Sequence, residues 1–268
     1  MTSNYIDIHS HLYFKDFDSD RDEVITRMKE RGIATISIGT GLETSRQSVA
    51  LAHMYENMYA CVGMHPADVA DTHVPEEISL LAEDQKVVAI GECGFDYFRL
   101  EGDASEIKEA QRRVFEHQIE LALKVGKPLM LHCRASKGTQ DAYYDTLDIL
   151  ERYHKEYGNK LSGNAHFFAG DMDVLKRFLN IGFTVSFTGV VTFTHDYDEL
   201  IRYTPLESLH AETDAPFVAP VPYRGSRNSP EYVPQVVSAI ARIKGEEEEK
   251  VKKTLISNAQ RVFRLPHN

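Results

Sequence analysis

The chain has 268 residues, of which 42% are hydrophobic, and a formal net charge of -11 at pH 7. This composition is typical of a globular protein with one large core, and it excludes a disordered or collagen-like chain. The acidic balance argues against a broad basic surface for nucleic acid, but it permits a nucleic-acid substrate held locally by metal ions and a few cationic side chains.

The sequence contains no basic and apolar leader, and no apolar run approaches the ~20 residues that a bilayer span requires. The three cysteines, Cys61, Cys93 and Cys133, are too few and too scattered for a disulfide framework or a Cys-x-x-Cys zinc site. This cysteine usage fits a reducing compartment. We therefore expect a cytoplasmic protein that does not contact membranes and is a monomer or a weak oligomer.

Short β-branched runs alternate with longer amphipathic segments along nearly the whole chain, and together they predict eight strand–helix units. The predicted strands lie in YIDIHSHL, IATISIGT, MYACVGMHP, VVAIGECGFDY, KPLMLHC, SGNAHFF, FTVSFTG and SLHAETDAP. Strict alternation implies a parallel sheet, and eight units favour an α/β fold of the TIM-type (β/α)8 barrel, regular or distorted. We expect one domain over residues 1–268, with C-terminal helices from Val233 to about Phe263 as the last cover of the barrel.

The first predicted strand, YIDIHSHL, alternates apolar residues with Asp7, His9 and His11. Successive side chains of a strand point to opposite faces, so these three are expected to share one face and Ile6 and Ile8 the other. Two imidazoles two residues apart have the spacing of metal ligands, and the alternative is a polar edge strand with two incidental histidines. Asp7 is expected to orient an imidazole through its second ring nitrogen.

Histidines and carboxylates recur where the predicted strands end, which is where such barrels carry their active sites. These residues, with one arginine, are His9, His11, His65, Glu92, His132, Arg134, His166, Glu212 and Asp214. A chance distribution would also place them on helices and at strand starts, so their coincidence favours a metal site. The ligands exceed the needs of one tetrahedral zinc and suit two ions bridged by a carboxylate and a water. Two such ions would supply positive charge for an anionic substrate.

The order and spacing of DIHSHL, GMHP, GECGFDY, LHCR, HFFAG, ETDAP, RNSPEYV and NAQRVF resemble those of the TatD-type DNases, which are metal-dependent hydrolases related to the amidohydrolases. The resemblance extends through the entire chain. It implies two divalent metal ions (Mg, Mn or Zn) held by His9, His11, Glu92, His132, His166 and Asp214, with Glu92 as the bridge. It also implies 3'-5' exonuclease activity on single-stranded nucleic acid, DNA more than RNA, through a water that the two ions activate.

Three residues are expected to act in catalysis, namely Glu92, Asp214 and His65. Asp214 could bind an ion and also take a proton from the attacking water. His65 is expected beside the ions, where it could contact a phosphate or protonate a leaving oxygen. The alternative for His65 is a structural loop histidine held by Pro66.

Further residues are expected to contact the substrate, in addition to His65. They are Arg134, Asp96, Tyr97, Glu212, Arg227 and Asn228. Arg134 could grip a phosphate with two hydrogen bonds, and a surface arginine is the alternative. A buried hydrogen-bonded pair explains Asp96 and Tyr97 equally well, Glu212 could instead fix a histidine, and a plain turn is the alternative for Arg227 and Asn228.

Other function classes are less consistent with the sequence. It contains no GxSxG, GxxxxGK or GxGxxG motif, which argues against serine hydrolases, P-loop NTPases and Rossmann dehydrogenases. Strand alternation turns Cys93 and Cys133 away from the predicted site. Two alternatives stay open: the same site could hydrolyse an ester or amide, such as a D-aminoacyl-tRNA ester, or the barrel could be a metal-stabilised binding module without turnover.

Overall fold

Strands and helices alternate along the computed structural model, which describes residues 3–69, 73–100 and 104–266. Within these residues one parallel sheet contains eight strands in chain order. Its strands are β1 (Tyr5–Ser10), β2 (Ile33–Ile38), β3 (Met58–Val62), β4 (Val87–Asp96), β5 (Leu129–Arg134), β6 (Gly163–Ala165), β7 (Thr184–Phe187) and β8 (Leu209–Ala211). The strands are nearly continuous apolar or small-residue runs because both faces of such a sheet are covered.

Helices follow the strands and cover the outside of the sheet. The helices of the described residues are α1 (Arg21–Glu30), α2 (Leu42–Met54), α3 (Glu76–Leu81), α4 (Ala104–Val125), α5 (Asp141–Tyr157), α6 (Met172–Asn180), α7 (Asp198–Tyr203), α8 (Val233–Lys244) and α9 (Glu248–Phe263). The last two agree with the helices predicted from Val233 to about Phe263. Helix α8 ends at Gly245, whose φ of 69° suits a residue without a Cβ atom.

The sheet closes on itself just beyond the end of β8. Ser10 forms a parallel bridge with Ala215, and the backbone N–H of His11 donates to the Ala215 carbonyl at 2.8 Å. The N–H of Asp214 donates to the carbonyl of His9 at 2.9 Å. The predicted (β/α)8 barrel with C-terminal helices is therefore confirmed, and its seam between β1 and β8 is the irregular part.

Two apolar clusters fill the molecule. The larger one joins the outer faces of the strands to the helices, for example through Phe115 and Leu147. The smaller one contains residues of β1 to β5 together with Ala259 and Phe263 of α9, and none of α1 to α8. Its members include residues near the starts of β1 and β2, such as Ile6 and Ala34, so the end of α9 packs at the barrel end opposite the strand C-termini.

The register of β1 corrects the expected role of Asp7. The pairing of β1 with β2 shifts between Asp7 and Ser10, and both side chains lie within hydrogen-bonding distance of the Thr35 hydroxyl. Asp7 also accepts bonds from the N–H and hydroxyl of Thr213 at 2.8 and 2.6 Å, and from the N–H of His9 at 3.3 Å. The prediction that Asp7 orients an imidazole is therefore wrong, because the shift breaks the simple alternation.

Within the described ranges, no helix combines the length and the apolar character needed to span a bilayer.

Candidate metal centre

The candidate centre lies at the C-terminal end of the barrel, where the strands deliver six side chains to one place. His9 belongs to β1, Glu92 to β4 and His132 to β5, while His11 and His166 directly follow β1 and β6 and Asp214 is the third residue after β8. All are buried except His132, which is partly buried. The closing bonds between β1 and the segment after β8 bring His9, His11 and Asp214 together although they are far apart in the chain.

The first cluster consists of His9, His11, Glu92 and Asp214. The Nε2 atoms of His9 and His11 lie 3.3 Å apart. Glu92 Oε2 lies 3.5 Å from His9 Nε2, and Asp214 Oδ1 lies 3.4 Å from His11 Nε2. Two imidazole nitrogens and two carboxylate oxygens thus converge at separations that suit ligands of a single divalent ion.

The second cluster consists of His65, Glu92, His132 and His166. Glu92 Oε1 lies 2.7 Å from both His132 Nδ1 and His166 Nε2. His65 Nε2 lies 3.2 Å from His132 Nδ1 and 3.7 Å from Glu92 Oε1. Glu92 therefore contributes one carboxylate oxygen to each cluster, which is the arrangement expected of a carboxylate that bridges two ions.

The charges of the two clusters fit divalent cations. Glu92 and Asp214 are buried, and within the described residues they form ion pairs with histidines but with no lysine or arginine. A buried carboxylate requires a positive partner, and among the residues that the structure describes only protons on imidazoles provide one. Divalent ions could replace those protons, so the donor set and its unbalanced charge both fit metal binding.

The pKa values of groups in the clusters reflect the same pairing of carboxylates with histidines. Burial alone would raise the pKa of Glu92, but His166, His9 and His65 hold it well below its usual range. Burial would lower the pKa of His166, but the carboxylates of Glu92 and Glu212 raise it well above the ordinary value. Glu92 is therefore ionised, which is the state that a metal ligand needs.

The orientation of two imidazoles is fixed by their second ring nitrogen. His11 Nδ1 lies 3.0 Å from the carbonyl of Ile38, so it carries the proton and leaves the Nε2 lone pair for the first cluster. His132 Nε2 lies 3.0 Å from Asp96 Oδ2, so the Nδ1 lone pair faces the second cluster. Asp96 thus holds a histidine in the tautomer that can bind a metal, rather than facing the substrate.

Glu212 supports His166 in a related way. It is fully buried, it accepts from the backbone N–H of Phe167 and from the Ser186 hydroxyl, each at 2.7 Å, and its Oε1 lies 3.4 Å from His166 Nδ1. That last separation lacks the geometry of a hydrogen bond. Glu212 therefore fixes the backbone next to His166, and the expectation that it contacts substrate is not supported by its position.

Asp214 is held in an uncommon backbone conformation. Its φ of 53° lies in the left-handed region, where residues other than glycine are rare. The bonds from its N–H to the His9 carbonyl and from the Phe217 N–H to its own carbonyl maintain this conformation. Such strain is often found at functional sites, and here it turns the carboxylate toward His11.

The ring of His65 is oriented as a hydrogen-bond donor. Its Nδ1 accepts from the backbone N–H of Ala67 at 3.1 Å, so in the neutral ring the proton is on Nε2, which faces the second cluster. Burial and the neighbouring His132 lower the pKa of His65 to about 3, so the ring is neutral at pH 7. A protonated Nε2 has no lone pair for a metal, and this favours a contact with substrate.

Three residues predicted to contact the substrate lie elsewhere. The Tyr97 hydroxyl donates to Asp145 on α5 at 2.8 Å, so its side chain belongs to the helix layer. Arg227 makes two 2.7 Å bonds to Asp20 ahead of α1. The buried Asn228 donates to the carbonyls of Thr213 and Phe217, at 2.7 and 2.6 Å. These side chains anchor loops, because each already has protein partners for its polar atoms. Arg134, by contrast, is exposed at the end of β5.

Sequence reasoning missed two residues beside the first cluster. The Tyr13 hydroxyl lies 3.3 Å from His11 Nδ1, and the ring of Phe14 stacks on that of His11 with centroids 5.1 Å apart. Burial raises the pKa of Tyr13 above its ordinary value, so it stays a neutral hydroxyl. Their position directly after HSHL was the available signal, since a chain leaving a strand end stays near that end.

Comparisons with known proteins agree with this architecture. A family model described as TatD related DNase matches residues 6–264. The metal-dependent hydrolase YabD of Bacillus subtilis is 36% identical, over 97% of this chain and 98% of its own. The 3'-5' ssDNA/RNA exonuclease TatD of Pectobacterium parmentieri is 32% identical, over 97% and 99%. The crystal structure of YjjV, a TatD homologue of Escherichia coli, has a TM-score of 0.85 at 26% identity and covers 99% of this chain and all of its own.

Proposed function

The chain belongs to the TatD-related DNases, a family of metal-dependent hydrolases, and on that premise we propose that it cleaves phosphodiester bonds of single-stranded nucleic acid, DNA more than RNA, from the 3' end. The observation that carries the proposal is the position of Glu92 between the two clusters, with Oε1 at 2.7 Å from His132 and His166 and Oε2 at 3.5 Å from His9. A relative named as a 3'-5' ssDNA/RNA exonuclease supports the choice of substrate.

Two divalent ions, Mg, Mn or Zn, would be held by the two clusters. The first cluster offers His9, His11 and Asp214, the second offers His132 and His166, and Glu92 offers an oxygen to each. When bound, the ions supply Lewis acidity, which lowers the pKa of a water and stabilises the charge on phosphate oxygens.

The chain's own residues then have separable tasks. The ionised carboxylate of Asp214 can accept the proton of the attacking water, since its pKa lies below the ordinary value despite burial, because of His11 and the other imidazoles around it. The Nε2–H of His65 can donate a hydrogen bond to a phosphate oxygen. Exposed Arg134 can contact the next phosphate along the strand.

The experiment is digestion of a 5'-labelled single-stranded oligonucleotide by protein stripped with a chelator, with Mg, Mn or Zn added back. The parent protein is compared with Asp214→Asn and with Asp145→Asn, an exposed aspartate on α5 that serves as the matched control. We expect shortening from the 3' end only with metal, and turnover at least ~100-fold slower for Asp214→Asn alone. An intact oligonucleotide in every lane would contradict the proposal and direct the search to ester or amide substrates such as a D-aminoacyl-tRNA.

A further inference from the structure

Three exposed phenylalanines share one end of the barrel. Within the described residues these are Phe98, Phe193 and Phe217, which are 39%, 42% and 47% exposed. Phe98 follows β4, Phe193 lies in the loop after β7, and Phe217 lies in the segment after β8. All three therefore belong to loops at the strand C-termini, the end that carries the metal clusters.

An arginine packs against each of two of these rings. The guanidinium carbon of Arg134 lies 4.0 Å from the ring centroid of Phe98, and that of Arg224 lies 3.8 Å from the centroid of Phe193. The two pairs come from different loops, since Arg134 ends β5 and Arg224 follows β8. The same combination of cation and ring has thus been assembled twice around the candidate site.

The two arginines have no carboxylate partner among the described residues. This distinguishes them from Arg227, which is paired with Asp20, and from Arg27, which is paired with Glu231. In a chain with a net charge of -11, cations beside the candidate site that lack a carboxylate partner within the described ranges are available for an anion. A guanidinium held against a ring is also ordered in advance, so little side-chain entropy is lost when it binds a phosphate.

A single strand of nucleic acid presents the complementary groups. Its bases offer flat faces that stack on aromatic rings or on guanidinium planes, and each base is next to a phosphate that can accept from arginine. Phe217 packs edge-on beside His11 of the first cluster, with ring centroids 6.2 Å apart. The two arginine-bearing rings, Phe98 and Phe193, are distinct from it.

We propose that Phe98 with Arg134 and Phe193 with Arg224 are two stacking platforms, each of which binds a base and the adjacent phosphate of a single-stranded substrate on either side of the bond that is cleaved. The proposal rests on the proposed function for the identity of the substrate. It adds that recognition depends on unpaired bases as well as on phosphates, so that duplexes are bound poorly.

The test compares a short thymidine strand with an abasic strand of the same length, which keeps the phosphates and lacks the bases. Phe98→Ala and Phe193→Ala are assayed with the metal-loaded protein, together with Tyr203→Ala as the matched control. Tyr203 is an exposed ring on α7 with Lys176 at 5.7 Å from its centroid, so it carries a cation but lies in the helix layer. We expect each phenylalanine variant to raise KM for the thymidine strand about tenfold with kcat nearly unchanged, and to raise KM for the abasic strand by a clearly smaller factor, since that strand loses only the ordering of the arginine.

Two results would overturn the platforms. One is a KM for the thymidine strand that matches the parent in both variants, as expected if the rings serve a protein partner. The other is an equal rise in KM for both strands in the phenylalanine variants, or a rise in KM in Tyr203→Ala. If the parent cleaves neither strand, the proposed function has failed, and the platforms are then tested by fluorescence anisotropy of the uncleaved thymidine strand. Binding that each variant weakens about tenfold supports the platforms. Absent binding, or binding that neither variant changes, refutes them.

Discussion

Asp96 Oδ2 lies 3.0 Å from Nε2 of His132, on the side of the imidazole opposite the nitrogen that faces Glu92. Burial alone would lower the pKa of His132, but the carboxylates of Asp96 and Glu92 outweigh it and raise that pKa. Asp96 therefore determines which ring nitrogen carries the proton, and through His132 it would act on the candidate metal centre.

The first prediction concerns this contact. Asp96→Asn removes the charge that holds the proton on His132 Nε2, and we expect it to weaken metal binding by roughly 10- to 100-fold, the range for losing such a supporting carboxylate. Isothermal titration of the stripped protein measures the effect, with Asp145→Asn as the control on the neighbouring helix. Metal affinity equal to that of the parent would show that His132 does not need Asp96.

The second prediction separates two roles for His65. If its Nε2–H donates to the substrate, His65→Ala keeps the same number of bound ions as the parent while kcat falls about 100-fold. Metal content by mass spectrometry and kcat on an oligonucleotide are measured on the same sample. Loss of an ion in His65→Ala would instead identify this histidine as a ligand, in the other tautomer.

The third prediction tests whether Arg227 anchors a loop. Its two bonds to Asp20 and its position 4.3 Å over the ring of Phe17 should contribute about 1 kcal/mol to the free energy of unfolding, since the pair is only partly exposed. A double-mutant cycle with Arg227→Met and Asp20→Asn measures the coupling. The KM of Arg227→Met should equal that of the parent. A raised KM with an unchanged free energy of unfolding would indicate that Arg227 contacts the substrate.

The fourth prediction concerns His210 in the barrel interior. Its Nε2 lies 3.0 Å from the Thr184 hydroxyl, and burial, with a smaller effect of Arg261, lowers its pKa to about 3. In the unfolded chain this ring takes up a proton below about pH 6.5. The unfolded state thus binds more protons between about pH 6.5 and 3, so stability is lost as the pH falls through that window.

His210→Gln should remove this loss. We expect the free energy of unfolding of the parent to fall by about 2 kcal/mol more than that of the variant between pH 7 and pH 5. Urea denaturation at the two pH values gives the difference, and His195→Gln, at an exposed loop histidine, is the control. Parallel pH profiles for the parent and His210→Gln would contradict the account.

Periodicity and motif position predicted the barrel, its eight strands and the convergence of the six proposed ligands, because parallel strands bring their C-terminal ends to one place. The same reasoning could not predict side chains that depend on the register. Asp7 joins Ser10 and Thr35 because the pairing of β1 with β2 shifts, and Tyr97 faces α5, although both were expected near the clusters.

Contacts between distant loops were equally inaccessible to sequence reasoning. Arg227 reaches Asp20 across the fold, and Phe98 and Phe193 meet their arginines from other loops. Such pairs depend on how loops of different units meet above the barrel. Periodicity within a unit carries no information about this arrangement.

Sharing of Glu92 by two metal ions is tested by the metal content of the parent and of Glu92→Gln after dialysis, with turnover measured on the same samples. We expect two divalent ions per parent chain, and at most one ion with turnover at least ~100-fold lower in Glu92→Gln. A parent that holds a single ion when fully active, or a Glu92→Gln variant that keeps two ions and full turnover, would contradict this sharing.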